Sequence, residues 1–171
     1  MDKKGEAIQV KSWDKRTHEV AFLFNPAFCG RIIYATIKTY NEKAKRAFPF
    51  PLVFLILPLV LHRETRNNIN SRTQLLLWVQ RFPHLLIGFP QRAKELVPIT
   101  NEAVEFLLQT GKIYLTSSGE LEVSPGIRTL SKTKFIDDEI ADCIKKGEHV
   151  AKWFASAGKT ETIYIELGVK P

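Results

Sequence analysis

Cysteine is scarce in this 171-residue chain. Cys29 and Cys143 lie far apart, no Cys-x-x-Cys occurs, and two cysteines cannot build a disulfide framework. The opening Met-Asp-Lys-Lys-Gly-Glu lacks the apolar stretch of a secretory signal, so the expected compartment is the reducing cytoplasm, with both thiols unbridged. Histidine is sparse too: His18, His62, His84 and His149 form no His-x-x-x-His, His-Glu-x-x-His or Cys/His pair at metal spacing. No metal and no cofactor are expected. Long apolar runs are also lacking. The nearest approach, Phe48 to Leu61, holds three prolines and would rise only about 21 Å as a helix against a hydrocarbon core of roughly 30 Å. No membrane span is expected.

The motifs of catalysis are missing in the same way. Gly158-Lys159-Thr160 has the tail of a phosphate-binding loop, but Trp153 stands where its leading glycine belongs, and the segment follows a helix instead of opening one. Ser117-Ser118-Gly119 lacks the Gly-x-Ser-x-Gly frame of a nucleophile elbow and reads as a turn. Asp137, Asp138, Glu139 and Asp142 form an acidic cluster in the first turns of a predicted helix, where negative charge offsets the helix dipole. The expectation is a protein that is not an enzyme.

What the chain does have is core material and positive charge. With 44% hydrophobic residues and 11 Phe, it can bury one sizeable core, which excludes wholesale disorder. Lys and Arg number 25 against 18 Asp and Glu, a net +7 that favours an acidic partner, either nucleic acid or an acidic protein surface.

Residues 1–18 are polar and read as an arm, and 19–171 as a single domain. Val20 to Phe24 fits a short strand or the lead-in to a helix. Asn25-Pro26 then supplies a cap and an N1 proline for a helix to about Lys45. In Phe48–Leu61, Pro51 suits a first turn and Pro58 should kink or end the helix. This element, apolar on every side, must be covered within the chain or by a partner. Ser71 can cap a helix to Phe82, a third helix fits Pro83 to Leu96, and Thr100 looks like the N-cap of a helix ended by Gly111.

Alternation over Lys112–Thr116 and Glu120–Ser124, with Ser117-Ser118-Gly119 between, predicts a β-hairpin. An amphipathic helix follows from about Lys134 to Ala157, stopped by Gly158, and Thr160–Leu167 alternates into a short strand or extended tail. Fold class is therefore α+β and mainly α. Its centre is winged-helix-like, helices plus a hairpin wing, with an N-terminal helical extension and a long C-terminal amphipathic helix.

Between His62 and Lys94 there are six cations, Arg63, Arg66, Arg72, Arg81, Arg92 and Lys94, against one acid, Glu64. Arg72, Arg81, Arg92 and Lys94 are the candidates for phosphate contact, if nucleic acid is touched at all. The helix before the wing argues against base readout. It carries Glu102 and Glu105 and no cation, and the wing has Lys112 with Glu120 and Glu122, so the centre suits a protein partner better than a major groove. The rival reading is a stand-alone winged-helix DNA-binding regulator. Interface anchors tend to be aromatic or Arg, which selects Phe28, Arg63, Arg66, Trp78, Trp153 and Phe154 as candidate partner-binding residues.

From about residue 20 to the end, several short stretches recur in a characteristic order: Asn25-Pro26-Ala27-Phe28, Phe50-Pro51-Leu52 through Leu57-Pro58-Leu59-Val60-Leu61-His62, Thr65-Arg66, Arg92-Ala93 to Leu96-Val97-Pro98, Trp153-Phe154-Ala155, Ala157-Gly158 and Gly168-Val169-Lys170-Pro171. In these the chain resembles the middle component of bacterial three-component ABC systems, anti-phage or conflict loci to which Lamassu is related. The resemblance implies a small non-enzymatic subunit that accompanies an SMC-like or Rad50-like ABC ATPase and an effector, often a nuclease. It would hold the effector to the ATPase until foreign or broken DNA is sensed. Lys170 stands where the family more often has Arg, which keeps the charge but loses the bidentate fork.

Overall fold

The computed structural model describes residues 24–126 and 138–170. The arm, the Val20–Leu23 part of the predicted lead-in and the Lys134–Asp137 start of the long helix lie outside them. The described chain is mainly helical with one two-stranded antiparallel hairpin.

The first helix, α1 (Pro26–Ala44), begins as its sequence predicts. The Asn25 side chain accepts the Ala27 N–H at 2.8 Å, Pro26 occupies the first turn, and Lys45 closes the end in a left-handed conformation, φ 55°. Ile32, Ile33, Ile37 and Tyr40 are buried along it, with the later helices Val97–Gln109 (α6) and Asp138–Ala157 (α7) packed against it.

A 3₁₀ turn (Phe50–Leu52) leads into α2 (Val53–Val60), and Pro51 sits in that turn, where its missing N–H costs nothing. Pro58 lies inside α2, which stops two residues later at Val60. All of α2 except Phe54 is buried, under α1, α5, α6 and α7. The apolar run is thus covered within the chain.

Next come α3 (Arg63–Asn68) and α4 (Leu75–Arg81). Ser71 does not cap α4. Asn70 instead bends the chain, its Oδ1 accepting the N–H groups of Arg72 and Thr73 at 3.0 Å each, and α4 begins only after Gln74. The single helix expected over Pro83–Leu96 is two pieces, a 3₁₀ turn (Pro83–Leu86) and α5 (Phe89–Glu95), because Gly88 turns left-handed at φ 73°. Thr100 is no cap either. It lies fully buried inside α6 (Val97–Gln109), which starts three residues earlier because Pro98 is tolerated in a first turn.

The hairpin, β1 (Ile113–Leu115) with β2 (Leu121–Val123), has Tyr114 opposite Glu122, and Gly119 turns it at φ 79°. Asn41 of α1 anchors it by accepting the Val123 N–H at 3.2 Å, and Phe48 bridges to Leu121 on the outer side.

The long helix α7 (Asp138–Ala157) crosses α1 at Gly147, and Gly158 stops it at φ 86°. The C-terminal segment is not a strand. Thr160–Glu166 forms α8, which buries Ile163, Tyr164 and the following Leu167 at helical spacing and leaves Ile165 75% exposed. A strand would have put Ile163, Ile165 and Leu167 on one face, but among the described residues β1 and β2 pair only with each other and with Phe48.

Candidate partner-binding surface

Four of the six candidate anchors turn inward. Arg66, only 4% exposed, donates to the Val60 carbonyl at 3.0 Å and the Leu61 carbonyl at 3.3 Å, satisfying orphan acceptors at the end of α2. Its guanidinium also pairs with Glu139 at 2.5 Å and Asp142 at 3.3 Å, so α3 is tied to the first turns of α7. Two acids of the predicted dipole-capping cluster, Glu139 and Asp142, therefore do a second job.

Trp78 and Trp153 are buried with ring centroids 5.1 Å apart, and their indole N–H groups donate to Asn68 O at 2.9 Å and Thr73 O at 2.5 Å. Together they hold down the turn between α3 and α4. Phe154 is buried against Phe48. The reason is area: aromatic side chains bury the most apolar surface, and the core takes them before the exterior can.

Phe28 and Arg63 remain accessible, the first half-buried on α1 and the second exposed on α3. Of the candidate phosphate contacts, Arg72 in the turn before α4, Arg81 on α4 and Lys94 on α5 are exposed. Arg92 is not available in the same way. It donates to the Leu85 and Ile87 carbonyls at 3.3 and 3.4 Å and lies over the Phe89 ring, holding the 3₁₀ turn, and burial pulls its pKa down.

The ring of His62 caps α3, accepting the Thr65 N–H at 3.3 Å with Thr65 Oγ1 at 2.8 Å. Burial, then the Arg92 charge, lowers its pKa against the opposing Glu64, and Arg66 adds to the lowering. His149 is lowered likewise, by burial and by Lys152, Lys146 and Lys145 against Asp142. Cys29 and Cys143 are both buried. Among the described residues no group of three or more His, Cys, Asp or Glu could hold a metal ion, and no helix is long and apolar enough to cross a membrane.

The surface feature that the sequence did not disclose is a groove of about 550 Å³. Phe54 and Leu55 of α2, Pro90, Ala93 and Lys94 of α5, and Val97 of α6 line one side. Tyr164 of α8 and the tail Gly168-Val169-Lys170 line the other. The tail reaches it through a Schellman turn: Val169 N–H bonds to Tyr164 O, Gly168 N–H to Ile165 O, with Gly168 at φ 69°. Tyr164 donates its hydroxyl to Pro51 O at 2.6 Å, locking α8 to the 3₁₀ turn before α2. Three stretches of the recurrent pattern, Phe50–His62, Arg92–Pro98 and Gly168-Val169-Lys170, thus converge on one surface. The signal was present in those stretches, but reading the tail as a strand hid their meeting.

The model of the ABC-three component (ABC-3C) system Middle Component 3 family matches residues 13–171. The chain belongs to this family. The match starts before the resemblance read from the motifs, within the polar arm, and runs to the last residue. No curated protein and no solved structure matches the chain. A middle component is one part of a multi-component system, so this Middle Component 3 has partner proteins, and its accessible surface is where they must meet it.

Proposed function

We propose that this middle component is a non-catalytic accessory subunit of a Lamassu-like anti-phage complex in the cytoplasm. It links an SMC-like or Rad50-like ABC ATPase to an effector, often a nuclease, and DNA is reached through the complex. The single observation that carries this reading is the family match over residues 13–171. The acidic faces of the helix before the hairpin and of the hairpin itself support a protein partner, since Glu102, Glu105, Glu120 and Glu122 would repel phosphate. In this reading residues 19–171 act as one winged-helix-like unit with an arm at 1–18, and Phe28 and Arg63 belong to its contact surface.

Co-expression of the tagged chain with the ATPase and effector of its own system tests the proposal. The expected result is co-purification of all three at moderate salt after nuclease treatment. A lone protein that retains DNA until salt removes it would sink the subunit reading in favour of a DNA-binding regulator.

A further inference from the structure

We propose that the groove between α2, α5 and the C-terminal tail docks a peptide segment of a partner protein that carries apolar anchors flanked by carboxylates. This rests on the partner-binding reading above and specifies the chemistry of one contact. The groove makes two demands at once. Its floor of Phe54, Leu55, Ala93 and Val97 is apolar, while the charged side chains lining it are Lys94 of α5 and Lys170 of the tail, with no carboxylate among the described lining residues. Among the described residues neither ammonium has an ion-pair partner. The hydroxyl proton of Tyr164 is already donated to Pro51 O, so the lysines are the donors left to a ligand's anions.

Those demands select the occupant. A free phosphate would answer the lysines and leave the floor wet. A nucleic-acid strand needs a track of cations along its backbone, and the groove supplies two. A purely apolar segment would answer the floor and make no use of the two exposed ammonium groups beside it. A segment with two or three apolar side chains and acids on either flank meets both demands.

The test selects random 12-residue peptides displayed on phage against the immobilised full-length chain, with a Val97→Gln variant, which spoils the floor without changing charge, as the counter-selection. Circular dichroism melting confirms that each variant folds. Selected peptides should carry at least two apolar residues and a net negative charge. The double variant Lys94→Glu with Lys170→Glu should bind them at least about tenfold more weakly and should select basic peptides instead.

Enrichment that ignores Val97→Gln, or selected peptides indifferent to the charge reversal, overturns the proposal. So does a fatty acid retained in the groove by native mass spectrometry. The same variants are then co-expressed with the ATPase and effector. Loss of a partner with Val97→Gln supports the assignment. Unchanged co-purification shows that the partners dock elsewhere and overturns the groove while leaving the subunit reading intact. If the wild-type chain forms no complex, the subunit reading fails, and the peptide selection still decides what the groove binds.

Discussion

Gly147 and Thr36 meet where α7 crosses α1, so closely that a Cβ added at Gly147 would lie 2.7 Å from Thr36 Oγ1 and 3.3 Å from Ile32 Cγ2. Thr36 cannot swing aside freely, because its hydroxyl donates to Ile32 O at 2.8 Å. The crossing therefore requires glycine despite its unfavourable helix propensity. Gly147→Ala should lower stability by about 1–3 kcal/mol in urea unfolding, outweighing the gain of up to roughly 1 kcal/mol in propensity. Adding Thr36→Ala should restore part of the loss, and strict additivity of the two changes would refute the steric account.

Arg66 and Arg63 allow folding and the proposed docking to be tested apart. Arg66→Met removes the partner of two half-exposed carboxylates and uncovers two carbonyls, and should cost about 2–3 kcal/mol, below the full penalty for breaking a buried pair because the acids keep water. Arg66→Lys should recover little, since one ammonium cannot reach both carbonyls and both acids. Thermal unfolding checks both.

Arg63→Glu is the complementary case. The side chain is exposed, so the melting temperature should stay within about 0.5 kcal/mol of wild type in free-energy terms, while co-purification with the partner proteins falls. An intact complex would remove Arg63 from the contact surface.

Stability should fall on mild acidification. His62 and His149 both have folded-state pKa values below the ordinary 6.5, so as pH drops the unfolded chain takes up their protons before the folded chain does. The stabilisation is complete above about pH 7 and is lost as pH falls below about 6.5 through the folded pKa values. Urea midpoints across pH 5 to 8 should show this slope. His62→Asn, which keeps a capping acceptor, should flatten it, and an unchanged slope would assign the effect to other groups.

The tryptophan pair can be split the same way. Trp153→Phe keeps the ring contact with Trp78 but leaves Thr73 O without its indole donor, and should cost about 1–3 kcal/mol. Amide exchange should speed up locally in the turn at Asn70–Thr73.

Signals carried by a few neighbouring residues were legible without the fold. Asn25-Pro26 starts α1, Ser117–Gly119 turns the hairpin, Gly158 stops α7, and the recurrent motifs point to the family. Each works through backbone chemistry that needs no distant partner. Gly88 is a signal of the same kind, one that weakens the helix expected over Pro83–Leu96. A glycine able to turn left-handed broke a helix that apolar spacing alone would have continued. The short α3 escaped notice because its six residues have no apolar stripe and its cap is a histidine.

By itself, then, the sequence determined a mainly helical chain with one hairpin, the start of α1, the hairpin turn and the stop of α7, and its place in the Middle Component 3 family. Only the tertiary structure decided which way the bulky and charged side chains face. Trp78, Trp153, Phe154 and Arg66 have the composition of interface anchors, and they become core and clamp because α7 turns its Trp153 and Phe154 inward onto Trp78 and Phe48 and pairs its Glu139 and Asp142 with Arg66. Thr160–Leu167 is the sharpest case. Seven or eight residues fit both periods, and the segment is a helix because burying Ile163, Tyr164 and Leu167 together offsets leaving Ile165 in water. That choice also brings the tail beside α2 and α5, where residues far apart in the chain form one groove.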